Sequence, residues 1–274
     1  MTDHYFESHQ PVSLYVENGK GSVQVRATDT TESRVEITGR DADDVIVELR
    51  DNNLSVTAPH HRGGFLSGDS KLDMVITVPT GSDLGVRLGS SDLDATGSYA
   101  TAHIKSGSGD VSLEVLSGPA VVESGSGDIR IVTAHQELRV KSGSGDVRVD
   151  HTHSSLSVST GSGDVEIGNN TGPTIVKTGS GDLKIGHAET DVAMTTGSGD
   201  LVIGTAARGR FSAKGASGDV HIGVPAGVPV WTDVSTVSGQ ISSTLEGAGE
   251  PTDGADYVEL RAKTVSGDVT LIQV

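Results

Sequence analysis

The string Ser/Thr-Gly-Ser-Gly-Asp recurs six times in this chain, closing at Asp110, Asp128, Asp146, Asp164, Asp182 and Asp200. Each of these Asp residues stands 18 positions after the one before it. A weaker Gly-Ser-Ser-Asp ends at Asp92, and looser copies close at Asp219, Gln240 and Asp268. A short, constant period means one small unit stacked on itself, because such a unit can bury its apolar side only against its neighbours. A globule organised around one catalytic centre does not read this way.

Within the unit the apolar residues alternate. After each corner come Val111/Leu113, Ile129/Ile131, Val147/Val149, Val165/Ile167, Leu183/Ile185, Leu201/Ile203 and Val220/Ile222. Before each corner come Ala102/Ile104, Ala120/Val122, Leu138/Val140, Leu156/Val158, Thr174/Val176, Val192/Met194 and Phe211/Ala213. A period of two is that of a half-buried strand. Each unit therefore holds two strands joined by two bends. An antiparallel meander and a coil are both compatible with this pattern. The undrifting period favours the coil, since in-register stacking places like beside like, including Ser106, Ser124, Ser142, Thr160, Thr178 and Thr196 in one hydroxyl row. The expected fold is all-β, a right-handed parallel β-solenoid (β-helix) with two short strands per 18-residue coil. Glycine at the corner is expected for a positive φ and for crowded backbones.

Residues 1–85 are spaced less regularly and read as an N-terminal cap of the same solenoid. Residues 86–223 are the regular coils, and residues 224–274 are irregular C-terminal coils. Loops are expected at His60–Asp69 and Gly247–Asp256. Only eight of 274 residues are aromatic, which suits an interior one side chain wide.

The net charge of -17 argues against nonspecific nucleic-acid binding and against docking on anionic lipid. There is no Cys, hence no disulfide framework or thiol chemistry. The N-terminal Met1–Glu7 is polar and acidic, unlike a secretory signal, and no run is long enough to span a bilayer. The expectation is a cytoplasmic protein without direct membrane insertion.

Three strings carry a resemblance: Val78-Pro79-Thr80-Gly81-Ser82-Asp83-Leu84, the Ser-Gly-Ser-Gly-Asp array, and Lys263-Thr264-Val265-Ser266-Gly267-Asp268-Val269. Together they resemble the bacterial DUF4097 family, the β-strand-repeat "putative adhesin" group of toastrack domains. The resemblance covers essentially the whole chain. It implies a right-handed β-solenoid, a non-enzymatic role and an association with envelope-stress systems. It brings no catalytic residues.

Four features are candidates for function. The corner carboxylates Asp110, Asp128, Asp146, Asp164, Asp182 and Asp200 could bridge Ca²⁺ as in an RTX β-roll. That motif, Gly-Gly-x-Gly-x-Asp, differs from the one here, and the alternative is that each Asp accepts hydrogen bonds from its own bend. Lys105, Lys141, Lys177 and Lys214, five residues before an Asp on alternate coils, would balance the charge. His135, His151 and His153 sit in variable bends and could ligate a transition metal, although solvated loop histidines are commoner. An outward row of Arg130, Arg148, Glu166 and Lys184 could meet an anionic partner or simply face water. The uncharged C-terminal segment with Leu271 and Ile272 reads as a poorly protected strand edge, open to self-association or to a protein partner's strand, or else covered by the Gly247–Asp256 loop. A non-catalytic scaffold or protein-interaction module, with no cofactor, is the leading expectation. A calcium-binding roll comes second, and a carbohydrate-active β-helix enzyme, which needs a cleft with paired non-periodic carboxylates, a distant third.

Overall fold

The computed structural model describes residues 1–59, 71–246 and 256–274. The expected His60–Asp69 loop and residues 247–255 of the second loop lie outside the described residues. The chain divides into two compact units, residues 1–137 and 138–274.

The first unit begins with β1 (Thr2–Glu7), β2 (Ser13–Thr28), β3 (Glu32–Gly39), a 3₁₀ turn at Ala42–Asp44, β4 (Ile46–Arg50), β5 (Asn53–Thr57), β6 (Leu72–Pro79) and β7 (Asp83–Tyr99). It continues through β8 (Ala102–Ser106), β9 (Val111–Leu116), β10 (Ala120–Ser124) and β11 (Ile129–Ala134). The long strands β2 and β7 lack the full Gly-Ser-Gly-Asp corner and stay extended through it. Each therefore serves two columns. The first half of β7 pairs in parallel with β8 and its second half with β9. Both halves of β2 pair in parallel with β7, and on its other edge β2 pairs with β5 and β6. Among the described residues antiparallel pairing is confined to β1–β3, β3–β6 and β4–β5. Tyr99 is fully buried beside the bulge that follows Ala95, and its hydroxyl donates to the carbonyls of Val25 and Thr96, both at 3.0 Å.

The second unit holds β12 (Leu138–Ser142), β13 (Val147–Thr152), β14 (Leu156–Thr160), β15 (Val165–Asn170), β16 (Thr174–Thr178), β17 (Leu183–Ala188), β18 (Val192–Thr195), β19 (Leu201–Ala206), β20 (Gly209–Lys214) and β21 (Val220–Val224). Even-numbered strands stack in one parallel column and odd-numbered strands in another. The register follows the repeat: Val140, Val158, Val176, Met194 and Ala213 are successive partners in one column. Val149, Ile167, Ile185, Ile203 and Ile222 are partners in the other. All ten are buried. Each fully buried aliphatic side chain contributes about 1.5–3 kcal/mol, so every coil adds the same stabilising increment against its neighbours.

The last four strands, β22 (Val230–Thr236), β23 (Ile241–Ser243), β24 (Val258–Thr264) and β25 (Val269–Gln273), do not stack in chain order. The final pair, β24 and β25, lies directly on β20 and β21. The earlier pair, β22 and β23, covers the far edges of β24 and β25. The first unit has the mirror arrangement, with β2 held between β7 and the later β5–β6. The C-terminal coil is thus tucked one layer inward, paired on both edges, which protects it from the fraying usual at chain ends.

The C-terminal strand is thus not the poorly protected edge expected from the sequence. Leu271 is only 5% exposed and pairs with both Ile222 and Ser243. Ile272 is partly exposed on the outer side of a doubly paired strand.

Candidate interaction surfaces

The corner is built from three elements. Its hydroxyl residue closes the bend of its own coil. The Oγ of Ser106, Ser124 and Ser142 donates to the carbonyls of Gly109, Gly127 and Gly145 at 2.8–2.9 Å. Thr160, Thr178 and Thr196 accept from the amides of Gly163, Gly181 and Gly199 at 2.8–3.0 Å. The second Gly of the motif is there for closeness. A Cβ on Gly181 would sit inside the carbonyl of Gly163, and one on Gly199 inside that of Gly181. The expected positive φ is absent from these repeat glycines, so stacking of adjacent corners, and not a left-handed turn, excludes a side chain.

The third element is the carboxylate, and its bond differs from the expected one. Within each unit the Asp Oδ1 accepts the backbone N–H of the equivalent residue in the next coil, not of its own bend. In the first unit Asp110 donates to Asp92 and Asp128 to Asp110, at 3.1 and 2.9 Å. In the second, Asp164 donates to Asp146, Asp182 to Asp164, Asp200 to Asp182, Asp219 to Asp200 and Asp268 to Asp219, at 2.7–2.9 Å. Gln240 is the last rung, donating to Asp268 at 2.8 Å. The expected Lys counter-charges are not within ion-pair reach of the ladder in the cases of Lys177 and Lys214, while Lys105 pairs with Glu123 at 3.3 Å.

His151 Nδ1 accepts from the amide of Asn169 at 3.1 Å, His153 Nδ1 lies 3.4 Å from the hydroxyl of Thr171, and His135 belongs to the first unit. Among the described residues no three His, Cys, Asp or Glu side chains are grouped to hold a metal ion.

Arg130 faces outward on β11 of the first unit, and Arg148, Glu166 and Lys184 are successive outward register partners on β13, β15 and β17 of the second. This is no cationic stripe. Arg148 is bound to Asp150 at 2.9 Å and to Glu166 of the next coil at 2.5 Å. Those carboxylates, Asp150 foremost, raise its pKa further above the ordinary guanidinium value.

One open cleft of about 320 Å³ lies in the second unit, lined by Glu189, Asp191, Arg208, Arg210, Asp256 and Glu259 among others. Its carboxylates are engaged. Asp191 accepts the amide N–H of Arg210 at 2.8 Å, and Arg208 lies 3.8 Å from Glu189 and 3.6 Å from Asp256. Glu259 is clamped by Arg210 at 2.8 Å and Arg261 at 2.7 Å, and the Arg210 hydrogen bond holds its carboxyl below the usual range.

The end coil, β22–β23, has an edge without a strand partner among the described residues. Residues at its core-facing positions are uncovered: Ile241, whose register partner Val269 is fully buried, is 57% exposed. The coil is almost uncharged, with Asp233 as the one ionisable residue in its two strands. The edge strands of the first unit are different, since β1 carries Asp3, His4 and Glu7, and β4 carries Glu48 and Arg50. Charge on an edge strand guards against unwanted pairing. Sequence reasoning missed this surface, yet a signal was present. A rung followed by no further coil has no N–H to accept, so the degenerate Ser238-Gly239-Gln240 marks the end, while the intact Ser266-Gly267-Asp268 belongs inside the stack.

A solved "putative adhesin" from Parabacteroides distasonis ATCC 8503 is 14% identical, with 100% of this chain and 96% of that one covered at a TM-score of 0.40. A "putative adhesin" from Bacteroides fragilis NCTC 9343 is 12% identical over 98% and 96% of the two chains, with a TM-score of 0.38. A "putative lipid binding protein" from Parabacteroides distasonis ATCC 8503 is 12% identical over 100% and 96%, with a TM-score of 0.35. No curated protein matches the chain. The Toastrack DUF4097 family matches residues 12–272, nearly the full length and every coil described above, and the chain belongs to that family.

Proposed function

We propose that this protein is a non-catalytic interaction module that works through its open end coil, and that the coil's occupant is the same coil of a second copy. The observation that carries the reading is the combination at β22–β23 of an unpaired edge, a 57% exposed Ile241 at a core-facing position and near-absence of charge. Unpaired strand edges accept further strands, and the main-chain hydrogen bonds do not depend on side-chain identity. A two-fold contact sets each charge against its own copy's surface. In a chain of net charge -17, a neutral coil is the surface suited to self-pairing. The non-catalytic part of the reading is supported by the cleft, whose arginine-bound Glu259 is a poor proton donor near neutral pH. An association with envelope-stress systems follows from the family resemblance and would give the assembled module its setting.

The test is mass by light scattering over a concentration series, on the wild type and on the Val234→Lys/Ile241→Lys double variant. Both positions are at the end of the stack, where a lysine chain can reach water. The wild type should reach twice 28.0 kDa with rising concentration and the variant should stay at 28.0 kDa with an unchanged circular dichroism spectrum. A wild type that remains monomeric throughout would contradict the proposal.

A further inference from the structure

The charges of the second unit are sorted between its faces. Residues 138–274 contain ten Lys and Arg against sixteen Asp and Glu. Seven of the ten cations, Arg139, Lys141, Lys177, Arg210, Lys214, Arg261 and Lys263, point outward from the even-numbered strands and are exposed. Three acids share that side among the described residues: Asp233, Glu259, which is consumed by Arg210 and Arg261, and Asp191, one residue before β18, which accepts the Arg210 amide N–H. The remaining surface of the unit has three cations, Arg148, Lys184 and Arg208.

The face has further order. Ser159, Lys177, Thr195, Lys214 and Lys263 are successive register partners in one row. With neighbouring strands ~4.8 Å apart, Lys177 and Lys214 stand roughly 10 Å apart and Lys214 and Lys263 about half that. None of these three lysines has an ion pair among the described residues. Like charges directly opposite one another on adjacent strands are destabilising, so the Lys214–Lys263 pair costs stability unless an anion meets it. The floor between the lysines carries the hydroxyls of Ser157, Ser159, Thr195 and Ser212, with the half-exposed Ile175 and Ala193 in the row between Ser157 and Ser212. At its end stands Trp231, 51% exposed, with the Arg261 guanidinium 5.6 Å from its ring centre.

From this face we infer a binding surface for an acidic polysaccharide lying along the stacking axis. The row of cations matches a linear polymer with anionic groups at regular intervals. A peptide strand cannot add to this face, because strands within the column are already paired on both edges. What remains for recognition is charge, hydroxyl groups, the apolar Ile175 and one aromatic plane, which complement the carboxylates, hydroxyls and C–H faces of a uronate chain. The net charge does not forbid the contact, since fields are screened beyond ~8 Å at physiological ionic strength, while the lysines touch their anions directly. The inference does not rest on self-pairing of the end coil, although Trp231 of β22 belongs to both surfaces.

The probe is polygalacturonate, with neutral dextran and poly-glutamate as comparators, titrated into the full chain and followed by calorimetry and by the fluorescence of Trp231, the only tryptophan. Saturable polygalacturonate binding with a change in Trp231 emission is expected, and it should weaken with salt. Lys177→Glu/Lys214→Glu/Lys263→Glu should weaken it by at least ~10-fold, because rim and surface charges act through complementarity. Arg148→Glu/Lys184→Glu/Arg208→Glu, which changes net charge equally but elsewhere, should change it by less than about 3-fold. Should the first triple fail to fold, the corresponding Gln triple keeps the comparison. No saturable binding, equal losses in the two triples, or poly-glutamate binding as tightly as polygalacturonate would each overturn the inference.

Discussion

Gly181→Val should leave no folded protein at 37 °C, a loss of at least ~4 kcal/mol. The added Cβ would overlap the carbonyl of Gly163 in the coil before it and press on Thr178 Oγ1 at 3.0 Å, the hydroxyl that closes the bend. Neither is the far end of a flexible side chain, so the stack itself would have to open. Asp182→Asn at the adjacent position should cost about 1 kcal/mol or less, because an amide oxygen can still accept the Asp200 N–H. Thermal unfolding of the two variants beside the wild type separates the effects. The same instrument addresses the calcium reading. One oxygen of each ladder carboxylate is already used between coils, and the melting temperatures in excess Ca²⁺ and in EDTA should coincide. A calcium-dependent rise would put the β-roll alternative ahead.

The second large effect is a matter of phase. Deleting Val165–Asp182 removes one whole coil, β15 with β16. Leu183 then follows Asp164, β17 stacks on β13, and Asp200 can donate to Asp164 as Asp182 does now. Coils touch only their neighbours, so a shorter folded protein should result, less stable by one coil's share. Deleting Val165–Pro173 removes half a coil. Every later strand then moves into the other column, and the Asp corners no longer line up with Asp146 and Asp164. That variant should be unfolded by circular dichroism. Equal damage from the two deletions would be incompatible with independent stacked coils.

Much of the fold was legible because the repeat is strict where every coil has two neighbours. Val140 and Val158, or Ile167 and Ile185, share chemistry because they share an environment, and the period of two along each strand fixed which side faced inward. The corner chemistry was legible in kind but not in detail. A sequence shows that Asp recurs, whereas the bond from Asp182 Oδ1 to the next coil's amide depends on how coils stack. Of the two reasons for glycine at the corner, crowding of stacked backbones holds at Gly181 and Gly199, whereas their φ values are ordinary. The order of the last coils is not legible in the sequence, because coils adjacent in the chain need not be adjacent in the stack. The 49-residue step from Asp219 to its partner Asp268 passes over a complete intervening coil. The cationic face was hidden for a related reason. Lys177, Lys214 and Lys263 fall in one row only once β24 is placed against β20.

Because the chain has no Cys, introduced pairs report stacking directly. Adjacent strands place outward positions ~4.8 Å apart, within disulfide reach, and the next strand but one lies beyond it. Four double-cysteine variants should therefore be oxidised and scored by mobility and mass. Ser159→Cys/Lys177→Cys and Ser212→Cys/Arg261→Cys are register neighbours and should cross-link fully. Ser159→Cys/Thr195→Cys and Ser212→Cys/Asp233→Cys are separated by one strand and should stay reduced. Cross-linking of 212 with 233 in place of 261 would mean that the coils stack in chain order, leaving β25 as the open edge. Failure of 159 with 177 would contradict the parallel solenoid itself.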